Sequence, residues 1–134
     1  MRSVSNLEIA RAWLLGMNEH NVGRMFSLCR EDMIGEEIAE PHPNIGRDVV
    51  VASYVELFKG FPNCKSEILN EFSDSDQALI EIHWTGTNAG EFRGTAATNK
   101  FVDVRIAYIF KFEGGKIARI TEYYDGATVA AQMS

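Results

Sequence analysis

The residue whose setting first suggests chemistry is Glu122. In the extended run Ala118, Ile120, Glu122 and Tyr124, alternate positions share one face, and the neighbours of Glu122 there are apolar or aromatic. A carboxyl on such a face is removed from water. Its ionised form is disfavoured, so its pKa rises toward neutrality and it can give or take a proton at physiological pH. The competing arrangement is a strand-edge glutamate paired with Arg119 or Lys116. Tyr108 shares the apolar face of the preceding strand with Val102, Val104, Ile106, Phe110 and Phe112. A phenol there can donate to a carbonyl oxygen that gains negative charge, or simply bond to backbone in the core. The alternation Ile34, Glu36, Ile38, Glu40 sets two further carboxylates beside two isoleucines. Abstraction of a proton next to a carbonyl needs a base near neutrality and a donor at the oxygen; Glu40 or Glu122, with Tyr108, would form such a pair. For Glu40 the competing arrangement is an exposed loop entrance, because His42, Pro43 and Asn44 follow.

These groups need elements to hold them. Ser5-x-x-Glu8 reads as a capping box opening a helix from about Leu7 to Asn18, with Ala10, Trp13, Leu14 and Met17 as its buried stripe. A second, short helix carries Val22, Met25, Phe26 and Cys29. A third follows Gly46-Arg47-Asp48, presents Val51, Tyr54, Val55 and Phe58, and ends at Gly60 and Pro62. Strands dominate afterwards. Ala78, Ile80, Ile82 and Trp84 alternate with Leu79, Glu81, His83 and Thr85, and the long strand of Tyr108 turns back at Glu113-Gly114-Gly115-Lys116, where the glycines can take positive φ. A short C-terminal helix begins near Asp125-Gly126. The expected architecture is α+β: three helices on one face of a strongly curved antiparallel sheet, with an apolar pocket between the layers. Trp13, Met17, Tyr54, Phe58, Ile82, Trp84, Ile106, Ile120 and Tyr124 are the expected pocket lining.

Composition narrows the classes. The 134 residues suit one domain spanning 1–134 with an ordinary core, 46% hydrophobic and 24% charged. A net charge of -6 with scattered Lys and Arg argues against nucleic acid. No apolar run reaches the roughly 20 residues that span a bilayer. The segment Met1-Arg2-Ser3-Val4-Ser5-Asn6 does not read as a signal peptide, so the expected address is cytoplasmic and Cys29 and Cys64 are expected to be free thiols. His20, His42 and His83 have no metal-ligand spacing, and there is no phosphate loop or dinucleotide fingerprint. Neither a metal nor a cofactor is expected, and neither cysteine has an assigned basic partner.

An ordered set of motifs carries a resemblance. Phe110-Lys111-Phe112-Glu113-Gly114-Gly115-Lys116-Ile117 followed by Thr121-Glu122-Tyr123-Tyr124-Asp125 resembles the closing hairpin of SnoaL-like polyketide cyclases. Glu40-Pro41 ahead of Gly46-Arg47, and Glu91-Phe92-Arg93-Gly94 through Lys100, are similar to the family's first strand and its Gly-rich connection. Ala96-Ala97-Thr98-Asn99 departs from the Pro-Pro-Thr-Gly-like segment frequent there, at a loop near the pocket mouth. The resemblance covers nearly the whole chain. It implies the cone-shaped nuclear-transport-factor-2-like fold shared with ketosteroid isomerases, a small apolar ligand, a homodimer, and Glu122 at the place of the cyclases' acidic general acid/base, one methylene longer than their Asp. It also implies Tyr108 where some cyclases have histidine, and Glu40 at the place of the isomerase base. Asp103 and Arg105 invite comparison with the limonene epoxide hydrolases, but alternation puts them on the outer face. There they would form an ion pair or, with Leu79, His83, Ala107 and Ile109, part of a subunit interface. The expected activity is cofactor-free aldol cyclisation or isomerisation of an apolar carbonyl compound; a non-catalytic ligand-binding or dimerisation domain is the alternative.

Overall fold

The computed structural model describes residues 5–134, so the reading of the N-terminal segment as no signal peptide falls largely outside the described residues. In chain order the elements are α1 (Asn6–Asn18), α2 (Val22–Ser27), β1 (Cys29–Glu37), β2 (Asn44–Ile45), α3 (Arg47–Gly60), β3 (Lys65–Ser73), β4 (Gln77–Thr87), β5 (Phe101–Glu113), β6 (Lys116–Tyr123) and α4 (Gly126–Met133). The six strands form one sheet in the order β2-β1-β6-β5-β4-β3. The sheet is not wholly antiparallel, as sequence periodicity led us to expect: β1 runs parallel to β6. Cys29 also moves, opening β1 instead of closing the second helix.

Local chemistry explains the boundaries. Ser5 accepts from the Glu8 N–H at 3.2 Å and starts α1. Gly114 and Gly115, at φ 60° and 77°, form the two-residue turn between the paired residues Glu113 and Lys116. Asp125 caps α4 by accepting from Ala127 and Thr128. The core lies between the inner sheet face and α1 to α3, with Ala10, Trp13, Leu14 and Met17 of α1 all buried against Ile80, Ile82, Tyr108 and Phe110. Strand β5 pairs with β4 from Phe101 to Lys111 but with β6 only from Ala107 onward. Its first half therefore has an open edge. Helix α4 packs there, and the Gln132 amide both donates to and accepts from the Asp103 backbone, like a missing neighbouring strand. Among the described residues no helix is long and apolar enough to cross a membrane. Cys29 and Cys64 are both free and buried.

Candidate functional site

Strand register places the chemical groups in a row. Glu37 on β1 pairs with Glu122 on β6, and Glu122 pairs with Tyr108 on β5. All three side chains face a cavity of about 110 Å³ between the sheet and α3. Helix α3 adds Tyr54, whose hydroxyl donates to Glu122 Oε1 at 2.5 Å. Among the described residues no cation pairs with Glu122, and no hydrogen bond reaches its Oε2. Burial pushes the Glu122 carboxyl up to about 8, helped by the negative charge of Glu37; the Tyr54 hydrogen bond and the positive charge of Arg93 pull the other way. Burial and the nearby Glu122 raise the Tyr54 and Tyr108 hydroxyls well above the ordinary phenol value, so both remain donors. Trp13 holds them, meeting Tyr54 edge-on at 5.3 Å and Tyr108 at 5.6 Å between ring centres.

The mouth is built from the loop between β4 and β5. Asn88, 1% exposed, ties that loop down by donating to the carbonyls of Gly60 and Gly90 and accepting from Thr98 N–H and Oγ1. Gly90 lies so close to the Lys59 carbonyl that no side chain fits. From this loop Arg93 reaches back over the cavity to Glu37 and Glu40. Glu37 also accepts from the Tyr124 hydroxyl at 3.2 Å.

The structure brings together Glu122, Tyr108, Tyr54, Trp84, Ile106 and Tyr124 on the cavity wall. Other expected lining residues lie elsewhere. Trp13, Met17 and Ile82 are at most 1% exposed and sit beneath the wall as core, because α1 presses directly onto the sheet. Phe58 points along α3 to stack on His20 at 4.4 Å. Ile120 faces a smaller recess on the far side of Tyr54. Glu40 is not in the cavity: β1 ends at Glu37, and Glu40 is exposed on the following turn, 2.6 Å from Arg93. The inward residues of β1 are Met33, Gly35 and Glu37, while Glu36 faces outward to Arg119. Gly35 has no side chain to mark that face as apolar, which is why the alternation of Ile34 and Ile38 pointed to the wrong phase. A Cβ at Gly35 would come within 3.0 Å of Val50, so glycine is what lets α3 approach here. Cys64, read as lacking a basic partner, has His20 Nε2 at 3.4 Å from its sulfur, yet burial pushes the thiol up to about 11 and leaves it un-ionised.

With this geometry in view, the comparisons decide the family. The family model described as SnoaL-like polyketide cyclase matches residues 7–133. The chain belongs to the SnoaL-like polyketide cyclase family. A search of the curated proteins finds no match. Among solved structures, a protein from Jannaschia sp. CCS1 assigned to the SnoaL-like polyketide cyclases is 18% identical, with a TM-score of 0.86 over 100% of this chain and 96% of that one. A proposed polyketide cyclase from Pseudomonas putida KT2440 is 19% identical at TM-score 0.85, over 98% and 100%. A protein of ketosteroid isomerase-like fold from Catenulispora acidiphila, in complex with trimethylamine, is 20% identical at TM-score 0.80, over 96% and 94%. These likenesses establish the fold, which is the mixed α+β architecture expected.

Within this SnoaL-like chain the site can hold a neutral carboxyl next to two phenol donors in a largely apolar enclosure. That set can protonate or hydrogen-bond an oxygen and move a proton at an adjacent carbon. Among the described residues no three His, Cys, Asp or Glu side chains stand close enough to hold a metal ion.

Proposed function

We propose that this protein performs general acid/base chemistry on a small, neutral, apolar carbonyl compound, with Glu122 as the proton carrier, Tyr54 holding its carboxyl, and Tyr108 as donor to the carbonyl oxygen. The observation that carries this reading is the state of Glu122: a carboxyl facing an apolar cavity, held by one phenol at 2.5 Å and by no cation. Tyr108 is the expected donor and keeps that role, because among the described residues its hydroxyl has only the Met17 sulfur at 3.9 Å as acceptor, whereas Tyr54 already donates to Glu122. Enolisation fits this set, since the carbonyl oxygen needs donors and the α-carbon needs a group that exchanges protons near neutrality. Aldol-type ring closure and double-bond isomerisation both pass through that step, so both are consistent with family membership. No step in this scheme calls on a cofactor.

The test uses bicyclic ketones such as 2-tetralone in deuterated buffer. The parent protein should exchange the α-protons of the bound ketone for deuterium. Glu122→Gln should bind the ketone equally and lose the exchange. Equal exchange in both proteins would leave the ligand-binding alternative standing and the catalytic reading without support.

The reading includes a second copy of the chain. The outer sheet face leaves Phe72 64% and Tyr123 44% exposed, with Leu79, Ala107 and Ile109 half-buried between them. A monomeric mass by light scattering at micromolar concentration would refute the homodimer.

A further inference from the structure

Parallel pairing of β1 with β6 puts the Glu37 and Glu122 backbones one strand spacing apart, with both side chains toward the cavity. Two carboxyls so placed would ordinarily meet and share a proton between them. Here their hydrogen bonds lead apart, although the charge of Glu37 still reaches Glu122. Glu122 turns to Tyr54 on α3. Glu37 turns to the mouth, where Arg93 Nη2 lies 3.0 and 2.9 Å from its two oxygens and Tyr124 donates to one of them.

Arg93 is held in place by more than its ion pairs. Its backbone has φ 50°, a left-handed conformation uncommon for a residue with a side chain, followed by Gly94 at φ 77°. Its N–H donates to Glu56 at 2.7 Å, and its guanidinium lies 4.8 Å from the centre of the Phe92 ring. Phe92 is wedged in turn between Phe61, 5.3 Å away centre to centre, and Gly60, where a Cβ would come within 2.8 Å of it. A loop pinned at its backbone, its side chain and its neighbour delivers one guanidinium to one place.

We propose that Arg93 is a positioning residue: by clamping Glu37 against the mouth it separates the two cavity carboxyls, so that the exchangeable proton belongs to Glu122 alone. This deepens the function proposed above and rests on Glu122 as the proton carrier. The titratable and charged groups around the pair are few. Strand β1 gives Glu37, the turn after it Glu40, α3 gives Tyr54 and Glu56, β5 gives Tyr108, β6 gives Glu122 with Tyr124 directly after it, and the β4–β5 loop gives Arg93. Strand β4 and α4 contribute only apolar side chains, Trp84, Val129 and Met133. Arg93 is therefore the one cation on this wall among the described residues. Its contacts with Glu37 and Glu40 also leave it poorly placed to greet an anionic ligand.

The experiment is a carboxyl-carbon NMR titration of glutamate-labelled protein, with Glu122→Gln and Glu37→Gln to assign the signals. In the parent, one carboxyl should titrate near 8 and be absent in Glu122→Gln. In Arg93→Met, the Glu37 and Glu122 signals should respond together in one upper step displaced upward by about one unit or more. Arg93→Lys, which keeps the charge but not the planar fork, should fall between them. A folded Arg93→Met with an unmoved Glu122 midpoint and a silent Glu37 would overturn the proposal. If Arg93→Met does not fold, Arg93→Gln carries the test: it also removes the cation, so the Glu122 midpoint should rise by about one unit, and no change would overturn the proposal equally. A parent protein with no carboxyl titrating near 8 would instead count against Glu122 as the proton carrier, so the two failures are distinguishable.

Discussion

The two faces of the same sheet carry similar residues and do different things with them. On the outer face Arg105 meets Glu81 at 2.9 Å, Arg119 meets Glu36 at 3.1 Å, and His83 meets Asp103. Glu81 and Glu36 each have a guanidinium beside them, Asp103 has an imidazole, and all three lie on the open face of the sheet. On the inner face, Glu122 has no cation paired with it among the described residues and faces a largely apolar cavity. Strand β5 makes the contrast sharp, because Asp103 and Arg105 point out while Tyr108, a few residues on, points in. Titratable side chains alone do not mark a reactive site; removing water from a carboxyl without supplying a counter-charge does.

The comparison can be broken by making the same substitution on each face. Glu122→Gln should slow α-proton exchange in a bound ketone by about 10²-fold or more, whereas Glu81→Gln should leave the rate unchanged. Comparable losses in both would erase the distinction. Stability should move in the opposite sense. The folded Glu122 keeps its proton up to about 8, against 4.5 for an unperturbed glutamate. Between those values folding takes up a proton, so this group's contribution to stability falls as pH rises through the window and is flat below and above it. Glu122→Gln is neutral in both states, so it should be more stable than the parent at pH 8 by roughly a few kcal/mol, with the difference vanishing below about pH 4.5 in denaturant titrations. The smallest effect belongs to the outer face. Arg105→Gln should shift the melting temperature by no more than about one or two degrees, and high salt should shrink even that.

Much of this was legible in the sequence. The period-two runs of β4, β5 and β6 located those strands and, through the glycine turn, aimed Tyr108 and Glu122 at one face. The stripe of α1 was equally plain. What stayed hidden shares a physical cause. Glu37 follows Gly35, and a missing side chain erases the hydrophobic alternation that would have marked the inner face of β1. Arg93 sits in a loop, where no periodicity assigns a direction to a side chain. Asn88 closes that loop through bonds to backbone groups distant in sequence, and nothing in its composition announces them. Tyr54 was placed near the pocket by helical spacing, but its bond to Glu122 depends on how α3 crosses the sheet.

The parallel pairing of β1 with β6 sets the order in which this site can come into being. Tyr124 and Glu37 touch across 87 residues of chain, and Tyr54 and Glu122 across 68. During synthesis the N-terminal helices and β1 emerge long before the strand that must lie beside β1. Until β6 arrives, β1 has only the two residues of β2 to pair with. The carboxyl proposed to move protons thus reaches its own cavity late, ahead only of Tyr124 and α4, and assembly of the site coincides with completion of the fold.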